Sequence, residues 1–160
     1  LGAAMNPCPC GYRGDPASEC RCSPDQITRY AGRISGPLLD RIDMFIEVPR
    51  LSAWELRHSD AGEPSERIRE RVVAARYRQW ERDGDSAARL STASVEAACP
   101  LTDSASKLLD RSLEQLGLSA RAYHRCLRLA RTIADLEGAG HITETQIAEA
   151  VAYRRAMPGH

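Results

Sequence analysis

Aromatic side chains are scarce in this sequence: 5% of its 160 residues, with Phe45 the single phenylalanine. A core built here has to be aliphatic, and a hydrophobic share of 42% is enough for one domain of ordinary size, or a small domain with a partial one. Lysine is scarcer still, with Lys107 alone among 22 basic residues. Arginine in its place reflects base composition as readily as function. A net charge is missing too: 22 bases meet 22 acids, so no global field draws the chain to nucleic acid or to a membrane. No apolar run approaches the roughly 20 residues that span a bilayer. Nothing resembles the basic start and long apolar centre of a secretion signal, so a cytoplasmic setting is the default expectation. Three common catalytic motifs are absent as well: G-x-x-x-x-G-K-[ST], G-x-S-x-G and H-E-x-x-H.

What is present begins with cysteine. Of six, four lie close together as Cys8, Cys10, Cys20 and Cys22, while Cys99 and Cys126 stand apart and read as small core residues. Without a secretion signal a disulfide framework does not fit. The pattern C-x-C-x9-C-x-C falls in a loop over 7–25, punctuated by Pro7, Pro9, Gly11, Gly14, Pro16 and Pro24. Four thiolates in two tight pairs can close a tetrahedral zinc site and replace a missing apolar core. A one-residue spacer is less specific than two, so free thiols in a mobile loop and a redox pair remain as alternatives.

The chain opens Leu1-Gly2-Ala3-Ala4-Met5, without an initiator methionine at position 1. This reads as the end of a buried parallel strand entered partway, and the chain is expected to be a piece of a longer protein. Asn6 sits at the carboxyl end of that strand, where open α/β sheets place ligand contacts. Ser23-Pro24 starts a helix that carries Arg29 and Arg33 on one face. A short helix from Gly36-Pro37 follows, and then a strand over Met44–Val48 stopped by Pro49. Arg41 stands at that helix–strand junction, between Asp40 and Asp43. A planar, permanently charged head on a rigid support suits it to reach a phosphate.

Helices fill the remainder. Ser52 caps a short one. A long one from Ser65 to Asp83 carries two apolar stripes, Ile68/Val72/Ala75 and Val73/Tyr77/Trp80, and is expected to pack against more than one neighbour. Thr92 to Ala98 is a short helix, and Asp103 to Leu116 ends at Gly117. Ser119 caps a helix to about Glu137, with Tyr123, Cys126, Leu127, Ala130, Ile133 and Ala134 on one arc and Arg121, Arg125 and Arg128 on the other face. Thr143 caps a last helix to about Ala156, with Gln146 at the capping-box position and Ile147, Ala148 and Val151 buried. The closing helices read as a small bundle. Arg121 lies in a first helical turn, where the helix dipole does not favour a cation.

Three stretches carry a resemblance: Ala3-Ala-Met-Asn-Pro-Cys-Pro-Cys-Gly11, Arg33 to Pro49, and Leu118-Ser-Ala-Arg-Ala-Tyr-His-Arg-Cys-Leu-Arg-Leu-Ala-Arg-Thr-Ile-Ala-Asp-Leu136. Over essentially its whole length the sequence resembles the C-terminal part of magnesium-chelatase-like AAA+ ATPases of the ComM (YifB) type. The resemblance implies a mainly α fold: a helical bundle of the AAA+ lid type over 63–160, after a partial α/β remnant of the AAA+ core over 1–50 and a linker with a short helix over 51–62. It implies sensor 1 for Asn6, an arginine finger acting on a neighbour's γ-phosphate for Arg41, and sensor 2 for Arg121. The cysteine quartet matches an insertion of this subtype that chelatase motors proper generally lack. ATP and Mg²⁺ are the implied cofactors of the full-length protein, with Zn²⁺ for the quartet. The implied partners are further copies in a hexameric ring and DNA, for a helicase that migrates branches during natural transformation. With no phosphate loop in its sequence, this piece alone is expected not to hydrolyse ATP. The competing readings are a chelatase motor that drives metal insertion into a tetrapyrrole, and a zinc-stabilised binding module.

Overall fold

Capping residues set the boundaries of most helices. The computed structural model describes residues 2–58 and 62–155. Among them are eight α-helices: α1 (Pro24–Ala31), α2 (Gly36–Leu39), α3 (Ala53–His58), α4 (Ser65–Asp83), α5 (Thr92–Ala98), α6 (Asp103–Leu116), α7 (Ala120–Glu137) and α8 (Glu144–Arg155). A 3₁₀ turn at Ala87–Arg89 leads into α5. The Ser23 hydroxyl accepts the Gln26 N–H while the Gln26 side chain accepts the Ser23 N–H, a complete capping box. Ser52 and Glu55 repeat it at α3. Ser91, Thr102 and Ser119 cap α5, α6 and α7 through their hydroxyls. At the other ends Gly84, Gly117 and Gly138 take the left-handed conformation that stops α4, α6 and α7, a conformation glycine adopts at little cost.

The chain divides into two compact units, Leu1–Ser59 with Arg155–His160 and Asp60–Arg154. The second is a helical bundle built on α7. The apolar arc of that helix is buried as expected, with Cys126, Leu127, Ala130 and Ala134 all at 1% exposure or less. Ala105 and Leu109 of α6 and Ile147, Ala150 and Val151 of α8 enter the same core cluster. Helices α4 and α5 and the 3₁₀ turn also pack on α7. A parallel bridge, Leu101 to Ile142, holds the entries to α6 and α8 side by side. The chain is therefore mainly helical.

The first unit is built differently. Among its described residues only Cys8 is buried. The strands expected at 1–5 and 44–48 are not formed: no strand occurs among the described residues, and residue 1 lies outside them. A strand is a pairing, and no ladder forms in this unit to complete one. Met44, Ile46 and Val48 are exposed instead.

Two further expectations need correction. In α4 only Ala75 and Gln79 are buried, while Ile68, Val72, Val73, Tyr77 and Trp80 are 43–64% exposed. Residues four apart define one narrow line, so only a narrow strip of this helix is covered, by α7 and by the turn whose Ala87 N–H donates to Gln79 Oε1. In α8 Ala148 faces solvent and Ala150 takes the buried place beside Ile147 and Val151.

Candidate functional site

The cysteine loop is organised by two tight turns. Gly11 and Gly14 have φ of +83° and +82°, a region L side chains rarely enter. The Gly11 N–H donates to the Cys8 carbonyl at 3.0 Å and the Asp15 N–H to the Tyr12 carbonyl at 3.1 Å. These turns fold the two cysteine pairs onto one another. The sulfurs of Cys8, Cys10, Cys20 and Cys22 all lie within 4.8 Å of one another. Cys8 Sγ is 3.3 Å from Cys10 Sγ and 3.7 Å from Cys20 Sγ, and Cys10 Sγ is 3.7 Å from Cys20 Sγ. A tetrahedral ion with metal–sulfur bonds of about 2.3 Å sets its sulfurs about 3.8 Å apart. The spacing therefore fits a four-thiolate metal centre, and all six cysteines are free thiols.

The electrostatics favour the same reading. Backbone N–H groups of Tyr12 and Arg21 donate to Cys10 Sγ and lower its pKa to about 6. Burial works against a charge on Cys8, but N–H groups from Arg13 and Gly11 help bring its pKa below the usual thiol value. For Cys22 the Cys10 N–H favours the thiolate, yet burial and the thiol groups of Cys10 and Cys8 outweigh it and push the pKa up to about 12. Cys20 is likewise raised, with burial and the Cys10 and Cys8 groups overcoming the Cys22 N–H. Four sulfurs this close cannot all ionise without a cation, and a bound divalent ion removes that conflict.

Asn6 and Arg41 share the first unit with this centre; Arg121 belongs to the second. Asn6 is exposed two residues before Cys8, and its amide lies over the Gly11 turn, 3.7 Å from where a Cβ on Gly11 would sit. Arg41 is exposed just past α2, and its Nη1 donates to the Pro37 carbonyl at 3.1 Å. Arg121 is exposed in the first turn of α7. The structure thus brings the four cysteines together and sets Asn6 beside them.

Some polar groups were not anticipated. Arg131 and Asp135, each 1% exposed, pair inside the second unit, with Arg131 Nε 3.0 Å from Asp135 Oδ1. Arg131 also donates to the Gly140 and Ala139 carbonyls. Arg82 reaches across from α4 to Asp135 at 2.7 Å, and Arg78 donates to the Asp135 carbonyl. Three arginines thus close the C-terminal end of α7, where its dipole favours cations. Arg128, expected on the outer face, turns to the Leu90 carbonyl at 2.8 Å. The i, i+4 spacing of Arg131 and Asp135 was a legible signal for that pair.

The model of magnesium chelatase subunit ChlI, C-terminal, matches residues 62–154, and that of magnesium chelatase subunit ChlI matches residues 1–56. The chain belongs to the magnesium chelatase ChlI family. Among curated relatives of this magnesium-chelatase-like AAA+ family, it is 47% identical to the competence protein ComM of Haemophilus influenzae over 96% of its own length and 30% of that protein's. It is 43% identical to YifB of Salmonella typhimurium and 42% to YifB of Escherichia coli over the same shares. The chain spans about a third of the length of the ChlI-family relatives it matches. No helix among the described residues is long and apolar enough to cross a membrane.

Proposed function

We propose that this chain is the sensor and lid portion of a ring-forming AAA+ ATPase that works as an ATP-driven DNA motor in the cytoplasm. The observation that carries this reading is the 47% identity, over 96% of the chain, to a protein named for competence. On this reading residues 1–50 complete the ATPase core, 51–62 link, and 63–160 form the lid. Asn6 orients the attacking water, Arg41 neutralises charge on the γ-phosphate held by the neighbouring subunit of a hexamer, and Arg121 senses the nucleotide from the lid. The sequence has no phosphate loop, so the residues that would cradle ATP and Mg²⁺ are not in it, and by itself it does not turn over ATP. The cysteine quartet holds zinc, which supplies a fixed cross-link in place of the apolar core that the first unit lacks.

A second reading, a chelatase motor acting on a tetrapyrrole-bound partner, draws support from the family description. The quartet favours the DNA motor, since chelatase motors proper generally lack it. The two readings separate in the full-length protein. DNA is expected to stimulate its ATPase activity, and Arg41→Ala is expected to reduce turnover by about 10³-fold or more, as for other arginine fingers. Unchanged turnover in the variant would remove the finger assignment. Stimulation by a porphyrin-binding partner, with none by DNA, would replace the motor reading with the chelatase one.

A further inference from the structure

The loop between the two cysteine pairs does more than connect ligands. Asp15 lies in it, midway between Cys10 and Cys20, and its side chain is only 9% exposed. One carboxylate oxygen, Oδ1, accepts the Ala17 N–H at 2.8 Å. The other, Oδ2, accepts from Arg50 Nη1 at 2.8 Å. Arg50 is 35 residues further along the chain and directly follows Pro49, where the segment carrying Arg41 ends. The start of that stretch is tied to the same place, because Cys22 adjoins the Ser23 capping box that begins α1. Residues 22–50 therefore leave the cysteine centre at one end and return to it at the other.

We infer that Asp15 is a positioning residue: through Arg50 it joins the four-cysteine centre to the far end of the Arg41 segment and closes that segment into a loop. Closure removes conformations that an open chain of this length would sample, and so narrows where Arg41 points. The metal centre then braces the arginine it does not touch. The importance of this brace for catalysis rests on the reading of Arg41 given above, but the brace itself does not.

The two are tested apart. The 160-residue chain is labelled with ¹⁵N, loaded with zinc, and compared with Asp15→Asn, Arg50→Gln and the exchanged pair Asp15→Arg/Arg50→Asp. Zinc content is expected to stay equal to that of the starting protein in all of them, since no sulfur is touched. Backbone relaxation at residues 43–48 and 50 is expected to show increased motion in both single variants and to be restored in the exchanged pair. The equilibrium between closed and open clasp is expected to shift by no more than about five-fold, as for exposed ion pairs. Stripping zinc from the starting protein is expected to loosen the same residues, and to have no added effect on them in Asp15→Asn. Unaltered motion in Asp15→Asn would overturn the inference, as would zinc removal that leaves residues 43–48 and 50 unchanged in the starting protein. None of these readings involves nucleotide, so they stand whether or not Arg41 proves to act on phosphate.

Discussion

Cys10 is the thiol best placed to ionise. Two backbone N–H groups point at its sulfur and hold its pKa near 6, while Cys22 is pushed up to about 12 and burial raises Cys99 to about 11. The metal-free protein is therefore expected to ionise first at Cys10 and to keep the thiol at Cys22 and Cys99. Alkylation with iodoacetamide after chelation is expected to mark Cys10 well before Cys22, with Cys99 and Cys126 unreacted; zinc added first is expected to protect the whole quartet. Peptide mapping by mass spectrometry checks both. The sequence made the quartet legible as a set, since its spacing needs no knowledge of the fold. It marked the pair Arg131–Asp135 by i, i+4 spacing but hid its burial, because charged residues on a helix are solvated by default. Only the fold reveals that the end of α7 is closed over by α4 and by the turn at Ala139 and Gly140.

Among the helices, boundaries were the most legible feature. Ser23, Ser119 and Thr143 at the starts, and Gly84, Gly117 and Gly138 at the ends, act locally, through hydroxyls or carboxamides three residues away or through one left-handed backbone conformation. Packing was less legible. The apolar stripes of α4 read as buried because periodicity reports which face is greasy, not whether a neighbour exists to cover it. The expected strands at 1–5 and 44–48 failed in the same way, since pairing is not a local property. A urea series separates the outcomes. Trp80→Ser on α4 is expected to change stability by less than about 1 kcal/mol, as for an exposed position. Leu127→Ala in the core of α7 is expected to cost about 2–5 kcal/mol through lost burial and a cavity. Asp135→Ala is expected to cost about 3–5 kcal/mol, because it leaves the Arg131 guanidinium buried without its carboxylate.

At the scale of the molecule, the two units solve the same problem by different means. The second excludes water from an aliphatic core around α7. The first, with Cys8 its only buried described residue, gathers four sulfurs instead. Chelation is therefore expected to disturb the first unit and leave the helices of the second folded. The balance of charge, 22 against 22, means that neither unit's neighbours are chosen by a global field. On the proposed reading recognition is local, through single arginines such as Arg41 and Arg121.

The stretch at Met44–Val48, with Met44, Ile46 and Val48 exposed, bears on how the protein keeps in solution. Five residues rich in apolar, strand-favouring side chains, three of them apolar and exposed to water, are the kind of segment that seeds ordered aggregates. Its composition carries the antidote: Asp43 precedes it, Glu47 interrupts it, and Pro49 and Arg50 close it. Such gatekeepers make stacking of like segments repulsive at each end. Glu47→Val removes the internal guard and leaves Met-Phe-Ile-Val-Val in a row. Light scattering at matched concentration is expected to detect earlier and faster growth of particles in that variant, with thioflavin fluorescence rising alongside; equal onset times would mean that residues 44–48 do not govern the protein's shelf life.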